Sequence, residues 1–597
     1  MNHNVDFQPV GRRGDFSSED TLLECARDLS VDIVSICGGA GSCERCRVQI
    51  IEGDVSELSL DEEFSLTEEE IEQGYRLACK TYPLSNVKVH VPPESLTAPQ
   101  RTQVEGLEIE VEIDPVVKVV EVQLEKPTLE ATQADEKTLF EALAEQGAHP
   151  EKMDFRLQQS ISHILREHSW HVRVAIREET EVIAIGPADA AWYGMAVDIG
   201  TTKVAGYLVD LETGKTLASK GLMNPQISYG EDVVSRIVAA SKSPKDAERL
   251  QNLLTGALSE LAKDLTDEID AQPSAIIEMV VVGNTAIHHL CLGFPVKQLG
   301  LAPYVPATDT FLDIKARELN VDIAQGAYIH LLPNIAGYVG ADHVAMLLAT
   351  RIVEAEKTTL AIDIGTNTEI CLNHKGKMTS VSCASGPAFE GAHIKFGMRA
   401  APGAIEHMRL TDGKLEIQTI GGDAPVGICG SGLLDIVAQL RLNDIVDRRG
   451  RIGEHDRVQK QDGMTEFVLA ERPDLPPVTL SQLDVRELQL AKAAIRLGII
   501  ALVEHEGLNE TDIEEVIIAG AFGTFIDVES AIVIGMLPDL PLDRFDQVGN
   551  AAGTGARLAL LSRAERAKAR NMATNVGYIE LAKIPNFNKK FAEVSFL

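Results

Sequence analysis

The chain is long and strongly acidic: 597 residues, 45% of them apolar, include 90 acidic and 55 basic side chains, for a formal net charge of −35. Because a single hydrophobic core stops growing at about 250–300 residues, this length predicts several domains. Because an acidic surface repels phosphate backbones, the charge argues against nucleic acid as a partner.

Four cysteines near the start of the chain have the spacing of an iron–sulfur site. Cys37, Cys43 and Cys46 form the pattern C-x5-C-x2-C, and Cys79 follows much later. A structural zinc site usually offers two short pairs of ligands, whereas a [2Fe–2S] site takes a compact group and one distant cysteine. The pattern favours one [2Fe–2S] cluster held by these thiolates, with zinc as the alternative. It resembles the adrenodoxin-like branch of the ferredoxins, which implies a ferredoxin-type β-grasp domain over residues 1–94.

Local patterns predict the elements of this first domain. Ser18 precedes a short amphipathic helix and is the expected N-cap. Residues 48–51 read as a strand, and Thr67 followed by three glutamates has the form of a capping box. The alternating run 87–91 predicts a closing strand.

The next part of the chain shows structure but no chemistry. Residues 95–125 begin with a polar stretch of little periodicity and are predicted to be a linker. Residues 126–190 are predicted to form a small α+β middle domain, with helical patterns at 137–146 and 153–167 before a β-rich patch at 171–185.

Residues 191–597 contain an internal repeat. An apolar strand followed by Asp-Ile-Gly-Thr occurs once from Met195 and again from Thr359. Glycines allow close backbone approach, and hydroxyl and N–H groups donate to phosphate. Asp198 and Asp363, at the strand ends, are candidates to hold a hydrated Mg²⁺ or to orient an attacking water. The candidate phosphate-binding residues are Gly200, Thr201, Thr202, Lys203, Gly365, Thr366, Asn367 and Thr368.

Further glycine turns complete a predicted nucleotide site. Gly520 and Gly523 follow an apolar strand, where bare backbone can pass against adenine and ribose. Gly430 and Ser431 open an apolar helix, and helix N-termini of this kind accept anions. Two repeated strand–turn units and a third glycine motif together predict two related lobes that face each other across a cleft.

These motifs resemble the two phosphate motifs and the adenosine motif of the ASKHA superfamily, which includes acetate and sugar kinases, Hsp70 and actin. The likeness covers residues 192–597 and implies binding of ATP and Mg²⁺. A ferredoxin domain, a middle domain and an ASKHA domain in one chain resemble a narrower family, the reductive activators of corrinoid proteins. Shared stretches begin at Asn224, Tyr229, Gly283 and Ser385. The overall expectation is a multidomain α+β and α/β protein.

The family resemblance implies a function. Its members reduce the inactive Co(II) form of a corrinoid protein in a methyltransferase system to Co(I), with ATP and an upstream electron donor. It also implies a possible homodimer through the ASKHA domain. Cys383 and Ser385 either contact the corrinoid or pack behind the second turn. Glu369 is either catalytic or salt-bridged.

Three other functions stay open from the sequence. The first is a small-molecule kinase with a regulatory ferredoxin, although no base poised for phosphoryl transfer can be singled out. The second is an activator of radical dehydratases, although the cysteines outside the ferredoxin region form no close ligand pair. The third is an ATP-gated scaffold without enzymatic activity.

Composition also bears on the compartment. No run of about 18 uncharged apolar residues is present, so no membrane span is expected. The N-terminus lacks the apolar stretch of a secretory signal. Nine cysteines, an odd number, do not suggest a disulfide framework in a chain of this length. The expected location is the cytoplasm.

Overall fold

The structure is a computed structural model. It describes residues 2–8, 10–29, 31, 33, 46–92, 95, 109–130, 132–230, 232–391, 393–411, 413–461, 463–473, 475–520 and 522–597. Two predicted cluster ligands, Cys37 and Cys43, lie outside the described residues. Within the described ranges, no helix is long and apolar enough to cross a membrane.

The first domain is a five-stranded sheet with three short helices. Its elements are β1 (Asn2–Gln8), β2 (Arg12–Ser17), α1 (Leu22–Asp28), β3 (Arg47–Glu52), α2 (Leu60–Ser65), α3 (Glu68–Glu72), β4 (Tyr75–Leu77) and β5 (Val87–His90). The strand order is β2-β1-β5-β3-β4, with β1 parallel to β5 and the other neighbours antiparallel. This mixed sheet confirms the predicted β-grasp fold.

Helix caps in this domain follow local chemistry. The sequence prediction of Ser18 as the first N-cap is wrong: α1 begins after Thr21, whose hydroxyl accepts from the Glu24 backbone while the Glu24 carboxylate accepts from the Thr21 backbone. A reciprocal box satisfies two backbone donors that the helix leaves open, which Ser18 is too distant to do. The capping box predicted at Thr67 is confirmed, with Glu70 as its partner.

A small α+β unit follows the ferredoxin domain. Its elements are β6 (Val117–Gln123), α4 (Asp135–Glu145), β7 (Lys152–Met153), α5 (Phe155–Glu167), β8 (His171–Arg177) and β9 (Glu181–Pro187). The four strands form one sheet in the order β6-β8-β9-β7. Strand β6 falls within residues 95–125, the range predicted as a linker.

The first lobe is built on a six-stranded sheet. Its elements are β10 (Tyr193–Ile199), β11 (Lys203–Asp210), β12 (Thr216–Met223), α6 (Val233–Ala240), α7 (Pro244–Asp267), β13 (Ile276–Gly283), α8 (Thr285–Cys291), β14 (Leu312–Lys315), β15 (Tyr328–Leu331) and α9 (Ala341–Ala349). The strand order is β12-β11-β10-β13-β15-β14. Strand β13 is buried along its whole length, as expected for a central strand covered on both faces.

The second lobe contains a second six-stranded sheet and two three-stranded sheets. Its elements are β16 (Thr359–Asp363), β17 (Thr368–His374), β18 (Lys377–Cys383), β19 (Ala404–Thr411), β20 (Lys414–Thr419), β21 (Gly427–Ile428), α10 (Gly430–Leu442), β22 (Val458–Gln461), β23 (Met464–Arg472), β24 (Leu475–Ser481), α11 (Gln482–His505), β25 (Glu515–Ala519), α12 (Val528–Val533), β26 (Phe545–Gly549), α13 (Ala551–Leu561), α14 (Arg563–Asn575), β27 (Gly577–Ile579) and α15 (Phe587–Val594).

The repeat seen in the sequence is a repeat of topology. The first lobe contains the order β12-β11-β10-β13-β15, and the second contains β18-β17-β16-β25-β26. In both lobes, the first three of these strands along the chain pair with each other in antiparallel fashion. The fourth strand pairs in parallel with the first, and the fifth pairs in parallel with the fourth. The prediction of two related lobes is confirmed.

Two helices join the lobes. Helix α13 follows β26 of the second lobe, yet it packs on α9 and on the first-lobe sheet. The contact is close because Gly555 has no side chain: a Cβ there would lie 2.0 Å from the carbonyl oxygen of Ala345. The pair of helices therefore connects the second lobe to the first through a tightly packed contact.

Candidate nucleotide and cluster sites

Two matching turns face the cleft between the lobes. In the first lobe, β10 carries Asp198 near its end and continues through 200–202 into β11. In the second lobe, β16 ends at Asp363 and continues through 364–367 into β17. Both hairpins are antiparallel, so the ladder of backbone hydrogen bonds fixes each aspartate at the carboxyl end of a central strand.

A cavity lies between these turns. Most of the predicted nucleotide-site residues line it: Asp198, Gly200, Thr201, Thr202, Lys203, Asp363, Gly365, Thr366, Asn367, Gly430, Ser431 and Gly520. Thr368 and Gly523 are not among the lining residues. The Thr368 hydroxyl lies 2.9 Å from that of Ser385, and the Gly523 carbonyl accepts from Gln547 Nε2 over 2.6 Å. Both support the cavity wall from behind.

Five carboxyl groups with raised pKa values line the cavity, one of them (Glu369) buried and the other four half-buried. Burial, with mutual repulsion, raises the pKa of Asp198 to about 7 and that of Asp363 to about 8. Burial raises the pKa of Asp342 to about 6 and also raises those of Glu369 and Glu390. Carboxyl groups that share a water-poor site favour protonation until a cation compensates their charge. The cavity therefore favours cations between the two turns.

The donor set fits Mg²⁺ held with nucleotide. Among the described residues, no group of three metal-ligating side chains is close enough to hold an ion directly. Mg²⁺ keeps several of its waters and usually takes one or two carboxylates together with substrate phosphates. Asp198 and Asp363, one from each lobe, are the two cavity-lining carboxylates that the sequence predicted for this role.

One wall of the cavity, beside the second turn, is aromatic and tightly packed. The rings of Phe389 and Phe522 stack with centroids 4.7 Å apart, and both line the cavity. Gly430 is required beside them, because a Cβ there would lie 2.0 Å from the Phe389 carbonyl oxygen. Gly520 has φ +94°, and its Cβ would lie 2.6 Å from the Ile364 carbonyl oxygen. These glycines therefore allow two close backbone approaches, that of α10 to Phe389 and that of residue 520 to the second turn.

Ser385 and Cys383 pack behind the second turn. The Ser385 hydroxyl lies 3.1 Å from the Gly365 carbonyl oxygen and 3.2 Å from that of Thr366. Cys383 is fully buried, and a Cβ on Gly498 would lie 2.3 Å from its sulfur. In this structure both side chains are inside the lobe, which favours the packing alternative over contact with a corrinoid.

Several lining residues were not predicted from the sequence: Asp342, Glu390, Arg399, Phe522 and Asn550. Asp342 could have been predicted, because it is an acidic residue in the first turn of an apolar helix that begins directly after Gly340. Phe522 lies between the two predicted glycines Gly520 and Gly523, whereas Glu390, Arg399 and Asn550 enter the cavity through tertiary packing.

The described part of the cysteine site fits a thiolate-bound metal. The sulfurs of Cys46 and Cys79 lie 3.4 Å apart, are buried and form no disulfide. Two thiolates on one tetrahedral metal, with metal–sulfur bonds of about 2.3 Å, lie roughly 3.8 Å apart. Cys25 is also buried, and burial raises its pKa to about 12, so it remains a packed thiol.

Glu62 secures the loop that carries Cys79. Its carboxylate accepts from Arg76 Nε at 2.8 Å, from the Leu77 backbone at 3.1 Å and from the Thr81 hydroxyl at 3.0 Å. These partners lie on both sides of Cys79 in the chain. A fully buried glutamate with this many donors holds the ligand loop in one conformation.

Family profiles match the chain from end to end. Residues 5–84 match a 2Fe-2S iron-sulfur cluster binding domain, and residues 106–191 match the RACo linker region. Residues 193–355 match the RACo middle region, and residues 357–597 match the C-terminal domain of RACo, the ASKHA domain.

A relative from Eubacterium limosum, named corrinoid activation enzyme RamQ, is 30% identical over 587 residues, which cover 96% of this chain and 95% of the relative. The chain belongs to the reductive activators of corrinoid proteins. A solved structure titled reductive activator for corrinoid, iron-sulfur protein superposes with a TM-score of 0.74 and 35% identity, covering 100% of this chain and 98% of the other. A Methanosarcina barkeri protein, named [Co(II) methylated amine-specific corrinoid protein] reductase, is 25% identical over 62% of this chain and 70% of its own length.

Membership of the reductive activators favours reduction of a corrinoid protein over the three other functions left open above. A [2Fe–2S] domain joined to an ASKHA domain is the arrangement of this family, and the match to a corrinoid activation enzyme spans nearly the whole chain. The radical-dehydratase alternative requires cysteine ligands outside the ferredoxin domain. The four cysteines there, Cys291, Cys371, Cys383 and Cys429, are all buried.

Proposed function

We propose that this protein uses ATP to pass one electron to the inactive Co(II) form of a corrinoid protein in a methyltransferase system, which regenerates Co(I). The observation that carries the proposal is the joining of a thiolate cluster domain to a two-lobed ATP-type cleft, in a chain of which 96% matches a corrinoid activation enzyme. The step transfers one electron and no proton: Co(II) gains the electron that the reduced protein loses.

The need for ATP follows from the reduction potentials of the cluster and of the cobalt centre. When bound, a plant-type [2Fe–2S] cluster supplies an electron at about −400 mV. Co(I) is a stronger reductant than such a cluster, so the transfer is uphill unless another process is coupled to it. Two lobes that change position with nucleotide can bind the Co(II) partner more tightly than the Co(I) product and release the product.

The chain's residues take distinct roles in this proposal. The turns at 200–202 and 365–367 cradle the phosphates, and Lys203 adds positive charge. Asp198 and Asp363 hold hydrated Mg²⁺ or orient the attacking water. The backbone at Gly520, beside the second turn, passes against adenosine.

Other parts of the proposal concern partners and place. The protein receives its electron from an upstream donor and acts in the cytoplasm. A homodimer through the ASKHA domain belongs to the proposal as well. The small unit at 126–190 is proposed as a separate domain after a linker at 95–125, and its role is left unassigned.

The test is anaerobic spectroscopy of a Co(II) corrinoid protein mixed with this protein, a chemical reductant, and Mg²⁺ with or without ATP. We expect Co(I) absorbance only with ATP. Cys79→Ser should abolish Co(I) formation and keep ATP binding, whereas Asp363→Asn should keep the cluster spectrum and abolish the ATP effect. Asp444→Asn, at a side chain that is 95% exposed, is the control. Equal Co(I) formation without ATP would contradict the proposal.

A further inference from the structure

The ferredoxin domain is docked on the second lobe through Arg12, at the start of β2. Although it is a surface residue of its own domain, Arg12 is only 4% exposed. Its Nη1 and Nη2 each donate to the Val426 carbonyl oxygen over 3.2 Å, and Nη2 lies 3.0 Å from the sulfur of Met398. A Cβ on Gly427 would lie 2.7 Å from Arg12 Nη2, so the lobe leaves room for this guanidinium.

The same domain also rests on the first lobe. His90, at the end of β5, places its Nδ1 2.7 Å from the hydroxyl of Ser228. Ser228 is buried in a 3-10 turn, Pro225–Tyr229, of the first lobe. The ferredoxin domain therefore bridges both lobes of the cleft.

On the first lobe, the docking contact is connected to the first phosphate turn. Asn224 caps the 3-10 turn that carries Ser228. Its side-chain amide donates to the Gly200 carbonyl oxygen over 2.8 Å, and its backbone N–H donates to that of Thr202 over 2.9 Å. Asn224 is bonded to the turn at 200–202 and stands four residues before Ser228. A displacement of that turn would therefore also move Ser228.

On the second lobe, the docking contact is connected to the second turn through Arg399. This residue follows Met398, lines the nucleotide cavity and lies beside Glu390, which accepts from the Thr366 hydroxyl over 2.7 Å. On the side away from Glu390, the Arg399 guanidinium lies close to the backbone of Gly11 in the ferredoxin domain. A Cβ added to Gly11 would lie 3.1 Å from Arg399 Nη1. One guanidinium therefore touches both the ferredoxin domain and the cavity.

We propose that Arg12 and His90 are positioning residues that couple ferredoxin docking to nucleotide binding, and that Arg399 transmits the coupling. The docked ferredoxin domain holds Arg399 against the second phosphate turn, so docking strengthens nucleotide binding, and by reciprocity nucleotide strengthens docking. The electron-carrying domain then takes a fixed position only when the cleft is occupied. This inference rests on the proposed nucleotide site.

The experiment uses the full-length, cluster-loaded protein. Affinity for a non-hydrolysable ATP analogue with Mg²⁺ is measured by calorimetry in the wild type, Arg12→Ala, Arg12→Lys and Arg27→Ala. Arg27 is an exposed arginine of the same domain and is the charge-matched control. In parallel, electron paramagnetic resonance measures the distance from the reduced cluster to a spin label at Asp444→Cys on the second lobe. Ser228→Ala tests the other contact without altering the ferredoxin fold.

Coupling energies between sites typically change affinity by ~5- to 150-fold. We expect Arg12→Ala to weaken analogue binding at least about fivefold and to broaden the cluster–label distance, with partial rescue by Arg12→Lys and no change in Arg27→Ala. Ser228→Ala should act in the same direction more weakly. Wild-type affinity in both Arg12→Ala and Ser228→Ala overturns the coupling. Failure of the wild type itself to bind the analogue overturns the nucleotide site of the proposed function instead.

Discussion

The side-chain amide of Asn550 donates a hydrogen bond to the carboxylate of Asp198 over 3.0 Å, although 352 residues separate them in the chain. The Asn550 side-chain oxygen also accepts from the Gly553 backbone over 2.8 Å and caps α13. One residue thus anchors the helix that joins the lobes and orients the aspartate of the first phosphate turn.

Replacing Asn550 with alanine should impair ATP hydrolysis in a pH-dependent way. Burial and the charge of Asp342 raise the pKa of Asp198 to about 7, and the hydrogen bond from Asn550 opposes that shift. Its loss should raise the pKa further, move the acid limb of the pH–rate profile upward, and reduce the rate at pH 7 by roughly tenfold or more. Steady-state ATP hydrolysis between pH 6 and 9 measures this. Asn575→Ala is the exposed control, and an unshifted profile in Asn550→Ala would contradict the assignment.

Glu62→Gln should destabilise the cluster domain. Burial opposes the charge of Glu62, but hydrogen bonds from Arg76, Ser59 and the Leu77 backbone outweigh it and lower the pKa to about 2. Leaving the Arg76 guanidinium buried without its carboxylate should cost about 3 kcal/mol or more. Cluster absorbance during anaerobic urea denaturation measures the loss. Glu63→Gln, an exposed neighbour on α2, should behave as wild type.

The sign of the pH dependence at Glu62 follows from the same shift. The folded-state pKa lies below the unfolded value of about 4.3, so the carboxylate stabilises the fold above that value. The contribution is lost as the pH falls toward 2. Wild-type cluster absorbance should therefore become acid-labile below about pH 4.3, and Glu62→Gln should show a weaker dependence in this window. Identical acid sensitivity of both proteins would argue against the ion pair as the cause.

Sequence predicted what local patterns specify. The two Asp-Ile-Gly-Thr turns each follow an apolar strand, so strand, turn and aspartate are all encoded within a few residues. The capping box at Thr67 is equally local. The correct cap of α1 was missed because Ser18 and Thr21 are both good N-cap residues, and only Thr21 has a glutamate three positions later.

Contacts between distant segments were beyond such patterns. Asn550 lies in a segment with glycines at 549 and 553, but its partner Asp198 belongs to the other lobe, so no local pattern predicts their contact. Glu62 has a local signal as the capping-box partner of Ser59, but no neighbouring residue shows that it is buried against Arg76. The docking of Arg12 on Val426 joins residues 414 positions apart, and no periodicity encodes it.

Breaking the ion pair between Arg177 and Glu278 should loosen the small α+β domain from the first lobe. Arg177 Nε lies 3.0 Å from a Glu278 carboxylate oxygen, both side chains are buried, and the guanidinium stacks 4.2 Å from the Tyr328 ring centroid. Arg566 still donates to Glu278 over 2.9 Å, so the expected cost is that of lost hydrogen bonds to a charged group, about 1.5–3 kcal/mol, and not that of an unpaired buried charge. Thermal denaturation of Arg177→Met should show this loss. Arg173→Met, on the same strand with a more exposed partner, should cost less than about 1 kcal/mol.

Gly555→Ala tests whether the two joining helices transmit movement between the lobes. The added methyl group would lie 2.0 Å from the Ala345 carbonyl oxygen, so α9 and α13 must separate. Overpacking of this kind costs about 1–3 kcal/mol. Because α9 carries Asp342 and α13 is capped by Asn550, we expect ATP hydrolysis to fall with the stability.

Gly256→Ala is the matched control for this variant. Gly256 is also a mid-helix glycine, in α7, but a methyl group there would meet no atom of another element within 4 Å, so alanine should stabilise the helix by roughly 0.5–1 kcal/mol. Denaturation midpoints should therefore move in opposite senses in the two variants: stability falls together with turnover in Gly555→Ala, and it rises with unchanged turnover in Gly256→Ala. Wild-type turnover in Gly555→Ala would show that the packing of α9 on α13 does not control the geometry of the cleft.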